Sequence, residues 1–337
     1  MMSRKMKINI GVGIVLSALF LFLAFRKINF SEIIGLFPQI NWYIILLLIP
    51  VSFLLFGLRA IRWYFLMKSI KKITISSLFS SIMVGFMINQ TLPLRIGEFV
   101  RAYSLARKEK IKVTECFGTI ITERIFDLFS LLIIFIPLLM IPAVADKLGP
   151  ASIYILGFSL LLFGVFIYLY FFGLRIMENK LVKKLIPENI RRIVLDIIKG
   201  LQSLKNPTDI LILLFFSLLF WIISGYFFYI SFSIFNISGL PIWSGFFILL
   251  LIAFGVALPS SPGYIGTYHY FVRIGLEFFN IPKEIALGYA ILIHLLQTVF
   301  VVVVGLICFF FEGFKISDAW TPAKAQSRKE SNPANTP

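Results

Sequence analysis

The chain has 337 residues, of which 59% are hydrophobic and only 14% are charged, and its mean hydropathy is +0.94. This composition excludes an ordinary soluble globular protein and is typical of a chain embedded in a lipid bilayer. The net charge of +16 does not indicate a nucleic-acid partner, because Lys and Arg lie in clusters between apolar runs and no nucleic-acid-binding motif is present.

Six apolar runs are long enough to cross about 30 Å of hydrocarbon as helices. The first follows a basic stretch and lacks a small-residue cleavage site, so we expect it to be retained as a span. The sequence therefore predicts an all-α, polytopic helix bundle with one transmembrane domain over residues 1–315 and a disordered cytoplasmic tail over 316–337. The predicted spans are Ile8–Phe25, Trp42–Gly57, Thr114–Ile141, Ala151–Phe172, Asp209–Phe235 and Pro282–Phe311.

Two further apolar runs, Ile75–Ile88 and Ile242–Ala257, are shorter, and each ends at a break rich in Pro and Gly. Interrupted helices occur at membrane depth only where the freed backbone is buried in protein or lines a cavity. We therefore predict two broken or re-entrant helical hairpins. The break residues are Pro93 and Gly97 in the first hairpin, and Pro259, Pro262, Gly263 and Gly266 in the second.

Basic clusters predict the orientation of these elements. Lys and Arg residues on both sides of the first hairpin, among them Arg59 and Arg62, place its ends in the cytoplasm. Segment 174–205 alternates apolar and basic residues at helical spacing, which predicts cytoplasmic amphipathic helices. With both termini of the chain also cytoplasmic, the second hairpin must enter from the opposite side.

A short pattern recurs at the two breaks and suggests an internal repeat. In each, Leu-Pro is followed by Gly four residues after the Pro. We predict two halves, 42–141 and 209–311, related as an inverted repeat, which is how many transporters alternate access. The alternative is that both runs are spans kinked by proline.

Three ionisable residues lie deep in the predicted span Thr114–Ile141. Glu123 and Asp127 are four residues apart and share a helix face, and Arg124 is three residues from Asp127. At roughly 15 Å depth, each charge costs at least ~2.5 kcal/mol. The triplet is therefore either a functional polar pathway or a self-neutralising group that locks two helices together.

The first break carries a second polar set, which comprises Asn89, Arg95, Glu98 and Arg101. Arg95 and Arg101 are suited to phosphate, because a guanidinium group can donate two parallel hydrogen bonds and the amides at a helix start add to the attraction. The alternative for Arg101 is a collar that snorkels to the cytoplasmic surface.

The second half offers uncharged polar groups instead. Ser260 and Ser261 lie at its break, and His294 and Gln297 occupy the position in the last span that corresponds to the charged triplet. His294 could donate to a lipid phosphate or carry protons; the alternative is a hydrogen bond between helices. We predict that these residues form one polar chamber near the membrane midplane, between the hairpin tips. Its expected members are Glu123, Arg124, Asp127, Asn89, His294 and Gln297.

Motifs for catalysis or metal binding are missing from the sequence. HExxH, GxSxG, Walker A, CxxC and paired aspartates at DxD spacing do not occur. The sequence therefore favours a protein that is not an enzyme, with no catalytic residues, metal or cofactor.

Three segments, 89–103, 122–127 and 258–266, resemble the signature segments of the lysylphosphatidylglycerol synthase transmembrane-region family, also called flippase-like. In that family the membrane unit, when fused to a soluble aminoacyl-transferase domain, is implicated in moving aminoacylated phosphatidylglycerol. Stand-alone relatives are linked to other lipids and lipid-linked sugars. The resemblance implies the flippase half without the synthase half. One departure is Tyr268-His269, where a charged residue is often expected, so the charge of the substrate stays open.

These observations together predict flipping of an anionic phospholipid or a polyprenyl-phosphate-linked glycolipid across the cell membrane. The expected partners are membrane lipids, with the possibility of a separate lipid-modifying enzyme and no nucleic acid. Two alternatives remain open. One is a membrane-embedded aminoacyl- or glycosyl-transferase that uses a lipid-linked donor, and the other is a small-solute or ion transporter.

Overall fold

The structure is a computed structural model that describes residues 4–92, 96–149, 151–179, 207–258 and 261–311, together with isolated positions between 182 and 198. These residues contain helices and turns and no strand, which confirms the all-α class. The α-helices are α1 (Arg4–Phe25), α2 (Phe30–Leu36), α3 (Trp42–Met67), α4 (Ile75–Thr91), α5 (Gly97–Glu109), α6 (Val113–Leu139), α7 (Pro142–Leu148), α8 (Ala151–Glu178), α9 (Pro207–Ser231), α10 (Trp243–Ala257), α11 (Thr267–Glu277) and α12 (Lys283–Phe311).

Three of the described helices are long and apolar enough to cross a bilayer. They are α3, α12, and α9 together with its 3₁₀ extension to Phe235. This confirms a membrane helix bundle, whereas the predicted number of six spans stays a prediction. Most of segment 174–205 and all of the tail 316–337 lie outside the described residues.

Helix α3 is longer than the sequence predicted. The apolar run stops at Gly57, but the helix continues for about two and a half more turns, as far as Met67, and carries Arg59 and Arg62 with it. Both arginines form ion pairs within the bundle, and the orientation predicted from the basic clusters stays a prediction. The helix continues because apolar residues around and beyond the arginines, among them Ala60, Trp63 and Leu66, are buried against neighbouring helices.

The first hairpin is formed by α4 and α5, which pack against each other on either side of the break. The Oδ1 atom of Asn89 accepts a hydrogen bond from the backbone N–H of Gly97 at 2.8 Å and so supports the start of α5. Two glycines let the arms approach closely: a Cβ added at Gly97 would overlap the carbonyl oxygen of Gly85. Pro93 and Arg95 lie outside the described residues.

The second hairpin is formed by α10 and α11, and its break has an irregular backbone. Positive φ angles occur at Gly263 (64°), Tyr264 (59°) and Gly266 (94°), which is a strained conformation for the tyrosine. Helix α1 packs on this hairpin, and the backbone N–H of Ser261 donates to Oγ of Ser17 at 2.6 Å. Pro259 and Ser260 lie outside the described residues.

The helix order is the same in the two halves. In each, a long helix is followed by a hairpin and then by another long helix: α3, α4–α5 and α6 in one half, and α9, α10–α11 and α12 in the other. The halves pack closely on each other, because α4 lies against α12 and α9 lies against α3 and α6. The inverted relation between the halves stays a prediction.

Candidate functional site

The carboxylate of Glu123 lies at the centre of a group of ion pairs. The residue is fully buried, and its Oε2 atom accepts a hydrogen bond from Arg101 at 2.7 Å. Its Oε1 atom accepts one from Arg124 at 2.8 Å. Arg59 and Arg62 place guanidinium nitrogens 3.5 and 3.8 Å from the same oxygen. One buried carboxylate thus faces four guanidinium groups.

Asp127 lies one helical turn further along α6 and anchors the other side of this group. Its Oδ1 atom accepts hydrogen bonds from Nη2 of Arg62 at 2.6 Å and from Nε1 of Trp221 at 2.9 Å. Its Oδ2 atom is 3.2 Å from Nη1 of Arg124. Because Trp221 belongs to α9, this carboxylate links the two halves of the chain.

Four arginines and three acidic residues therefore form one ion cluster, whose formal charge is +1. Within the described residues, several of its buried guanidinium nitrogens have no hydrogen-bond partner, including Nη1 of Arg59 and Nε of Arg124. Unpaired buried donors are costly, so the cluster is suited to an additional acceptor of negative charge. Its members are Arg59, Arg62, Arg101, Arg124, Glu98, Glu123 and Asp127.

Helix periodicity explains how these charges meet. Arg59 and Arg62 are three residues apart on α3, and Glu123 and Asp127 are four apart on α6, so each pair lies on one face, and the two helices are packed together. Arg101 stacks on an aromatic ring, with its guanidinium carbon 3.9 Å from the ring centroid of Trp63. Aromatic contact and ion pairing together hold the cluster at depth.

A cavity of about 530 Å³, which we call the central cavity, opens beside the ion cluster. One end of its wall is polar, with Arg59, Asn89, Glu98, Arg124 and Asp127. Most of the rest of the wall is apolar and comes from α6 and α10, and Phe86, Trp221 and Tyr264 complete it. The residues from α6 and α10 include Leu128, Leu131, Leu132, Phe135, Leu249, Leu250, Ala253 and Phe254. The central cavity is therefore amphipathic.

A second, almost wholly apolar cavity of about 330 Å³ adjoins the central cavity. The two cavities share Phe135, Leu250 and Phe254 in their walls. We call it the apolar cavity. It extends the hydrophobic end of the central cavity towards Val144 and Phe271.

A third cavity of about 240 Å³, the side cavity, adjoins the central cavity and shares part of its wall. Its polar wall contains Gln90, His294 and Gln297, and it shares Arg59 and Tyr264 with the central cavity. Five of the six residues of the predicted polar chamber thus line two adjoining cavities, with Arg59 in both walls, whereas Glu123 is fully buried in the ion cluster and lines neither cavity.

The two hairpins meet beside the side cavity. Nε2 of His294 is 2.7 Å from the carbonyl oxygen of Gly263, so this histidine ties α12 to the second break. A Cβ added at Gly263 would lie 2.9 Å from Oε1 of Gln90 at the end of α4. The glycine therefore permits a close approach between the breaks of the two halves.

The structure also locates the other residues that the sequence singled out. Arg101 is 1% exposed and buried in the ion cluster, so the alternative of a cytoplasmic collar is wrong for this residue. Ser261 contacts α1 rather than the ion cluster. Arg95 and Ser260 are not among the described residues.

Two members of the ion cluster, Arg59 and Arg62, were missed as site residues. The signal that could have revealed them is local: apolar residues continue on both sides of each arginine as far as Trp63, which argues against a solvated loop. Their three-residue spacing also matches a helix face that can pair with Glu123 and Asp127.

Comparison with known proteins places this architecture in a family. The chain is 28% identical over 227 residues to a UPF0104 membrane protein of Methanocaldococcus jannaschii, and the match covers 66% of this chain and 93% of that relative. No solved structure matches the chain. The family model for the lysylphosphatidylglycerol synthase TM region matches residues 10–305. The chain therefore belongs to the family of lysylphosphatidylglycerol synthase transmembrane regions.

Proposed function

We propose that this protein moves an anionic lipid, either a phospholipid or a polyprenyl-phosphate-linked glycolipid, across the membrane. The observation that carries the proposal is the central cavity, which combines a positively charged ion cluster at one end with an apolar wall at the other. A lipid phosphate attached to hydrocarbon has the same division of charge and apolar surface.

The arginines of the ion cluster divide into two pairs by exposure. The side chains of Arg62 and Arg101 are 0% and 1% exposed and hold the carboxylates in place. Those of Arg59 and Arg124 are 11% and 40% exposed and line the central cavity. We assign the phosphate contact to Arg59 and Arg124, because a guanidinium group binds phosphate oxygens through directed donors.

The charge of the ion cluster supports an anion as the ligand. A phosphodiester carries one negative charge and would neutralise the formal +1 of the cluster. Inside a protein an uncompensated charge is expensive, so neutralisation favours occupancy. The carboxylates of Glu98 and Asp127 in the same wall would limit how tightly the anion is held, which suits a site that must release its ligand.

The apolar walls support a lipid rather than a free phosphate. Leu128, Leu131 and Phe135 lie on one face of α6 next to Asp127, so hydrocarbon could continue from the charged end into the apolar cavity. The acyl chain of a membrane lipid already lies in hydrocarbon, so an apolar wall lets the chain follow its phosphate without exposure to water. Water-soluble phosphates would leave this surface unused.

Reconstitution into liposomes tests the proposal. Purified protein should accelerate the exposure of a fluorescent anionic phospholipid to an external quencher, compared with empty liposomes. Arg124→Gln should reduce the initial rate by at least about tenfold, equivalent to 1.4 kcal/mol. Lys72→Gln provides the matched control, because this exposed lysine lies outside the three cavities.

The same liposomes distinguish the competing functions. Chromatography of the lipids should reveal no new product, and an ion-sensitive dye should report no flux. A new aminoacyl or glycosyl lipid would instead indicate a transferase. Normal lipid movement in Arg124→Gln would contradict the assigned phosphate contact.

Orientation forms part of the proposal: the protein lies in the cell membrane with both termini cytoplasmic and with hairpins that enter from opposite sides. Ser76 and Lys108 flank the first hairpin, Asn280 follows the second, and all three are exposed. Single cysteines at Ser76 and Lys108 should react with an impermeant reagent only from the cytoplasm, and one at Asn280 only from outside. Labelling of the cysteine at position 280 from the cytoplasm would contradict the inverted repeat.

A further inference from the structure

The side cavity differs from the central cavity in its charge. Arg59 is the one charged residue among the described residues that line it, and no acidic side chain is present there. The remaining polar groups are hydroxyls, amides and the imidazole of His294. Such a wall has no charged group that could pair with a positive charge on the headgroup of a ligand.

The neutral polar groups of the side cavity include hydrogen-bonding capacity that the protein does not use. Oε1 of Gln90 is buried and has no partner within the described part of the chain. Across the cavity, Oε1 of Gln297 accepts a hydrogen bond from the hydroxyl of Tyr268 at 3.3 Å, which is long. Amide groups with unused or weak hydrogen bonds suit a ligand group that can both donate and accept a hydrogen bond, as a hydroxyl group can.

Aromatic rings form much of the remaining wall. Trp221, Tyr264 and Tyr268 combine flat apolar faces with polar edges. Rings of this kind can contact the C–H groups of a polyol while neighbouring amides bond its hydroxyls. The rest of the wall is apolar and includes Phe56, Phe220, Phe227 and Phe228. The amides and these three polar-edged rings, rather than the wall as a whole, are therefore what favour a hydroxylated group.

Position links the side cavity to the proposed lipid site, because Arg59 belongs to both walls. A phosphate at Arg59 would have hydrocarbon on one side, in the central and apolar cavities, and the side cavity on the other. The three cavities thus follow the order of chain, phosphate and headgroup.

We propose that the side cavity binds the headgroup of the translocated lipid, and that this headgroup is an uncharged, hydroxyl-bearing group such as glycerol or a sugar. This inference rests on the proposed function and narrows its substrate class. An ammonium-bearing headgroup would meet Arg59 with no acidic partner in the cavity wall and would be disfavoured by like-charge repulsion.

Binding of short-chain lipids to the purified full-length protein tests the headgroup directly. The probes are dioctanoyl phosphatidylglycerol and dioctanoyl phosphatidylethanolamine, which share chains and phosphate, whereas the headgroup is an uncharged polyol in the first and carries an ammonium group in the second. We expect phosphatidylglycerol to bind at least about tenfold more tightly, the effect of one or two hydrogen bonds and an avoided repulsion. Equal affinities would overturn the proposal.

Two variants locate the recognition in the side cavity. Gln90→Leu and Gln297→Leu should each reduce the affinity for phosphatidylglycerol towards that for dioctanoyl phosphatidic acid, which lacks a headgroup. Gln39→Leu is the matched control, because Gln39 is exposed and lies outside the three cavities. An unchanged headgroup preference in both cavity variants would overturn the assignment to this cavity, and the comparison of lipids in the wild type holds even if one variant fails to fold.

Further arms separate this inference from the function on which it rests. Preferential binding without lipid movement in liposomes would support the headgroup site and reject translocation. Lipid movement without headgroup preference would support translocation and reject the headgroup site. Glycerol 1-phosphate tests for a water-soluble ligand: it should bind far more weakly than phosphatidylglycerol, and equal binding would overturn the assignment to a lipid.

Discussion

The two hairpins share one design of helix, break and helix, yet their surroundings differ in chemistry. Around the first break lie the seven charged residues of the ion cluster. Around the second lie His294, Gln297 and Tyr268, and the contacts are single hydrogen bonds to neutral groups. A common backbone arrangement therefore supports a charged site in one half and a neutral polar site in the other.

Under the proposed function, this difference would let one pathway serve a lipid whose headgroup, phosphate and chains differ in polarity. Charges buried among helices fix the packing of α3, α5 and α6 and, under the proposed function, would also fix the position of the lipid phosphate. When a ligand leaves, a buried neutral polar group that loses its partner costs less free energy than a buried charge that loses its partner. The comparison predicts that changes near the first break affect stability more than changes near the second.

The largest effect is expected for Arg62, which is fully buried and bonded to Asp127 at 2.6 Å. Arg62→Leu should destabilise the protein by about 3–5 kcal/mol, because it leaves carboxylates buried without their partner. The measurement is chemical unfolding in detergent, with Lys72→Leu as the exposed control. The double variant Arg62→Leu/Asp127→Leu should lose less than the sum of the two single variants. Additive losses would mean that the pair is not coupled.

A smaller loss of stability is expected for a substitution at the close contact between the two arms of the first hairpin. Gly97→Ala places a Cβ against the backbone of Gly85 and the side chain of Asn89, and overpacking of this kind costs about 1–3 kcal/mol. Gly57→Ala on α3 is the control, because its added Cβ meets nothing within 4 Å. The measurement is the free energy of unfolding of both variants in the same detergent. Equal values would show that the arms can move apart without loss of stability.

The smallest effect is expected at the second break. His294→Leu removes the contact with the carbonyl oxygen of Gly263, and polar contacts between membrane helices average about 0.6 kcal/mol. Unfolding in detergent should therefore change far less than for Arg62→Leu. A loss as large as that of Arg62→Leu would remove the contrast between the two regions.

Local sequence was sufficient to place the hairpins. The predicted runs Ile75–Ile88 and Ile242–Ala257 became helices Ile75–Thr91 and Trp243–Ala257, because Pro and Gly act on the backbone next to them. The position of Glu123 and Asp127 deep within a predicted span likewise indicated that their carboxylates need partners of opposite charge. These inferences depend on neighbours a few residues away.

The partners themselves could not be predicted in the same way. Arg62 pairs with Asp127 across 65 residues of sequence, and no local pattern specifies that contact. Tyr268 is 4% exposed and bonded to Gln297 on α12, whereas its local sequence is equally compatible with a tyrosine at the membrane interface. Basic and aromatic residues serve both as surface anchors and as buried ligands, and only tertiary packing distinguishes these roles.

Dependence of transport on the lipid phosphate tests the central claim most directly. The measurement compares the initial rates at which proteoliposomes translocate fluorescent phosphatidylglycerol and a fluorescent glucosyl diacylglycerol with the same chains but no phosphate. We predict that the phospholipid moves at least about tenfold faster and that Arg59→Gln, which removes the charge shared by the central and side cavities, abolishes this difference. Equal rates for the two lipids in the wild type, or an unchanged difference in Arg59→Gln, would contradict the account.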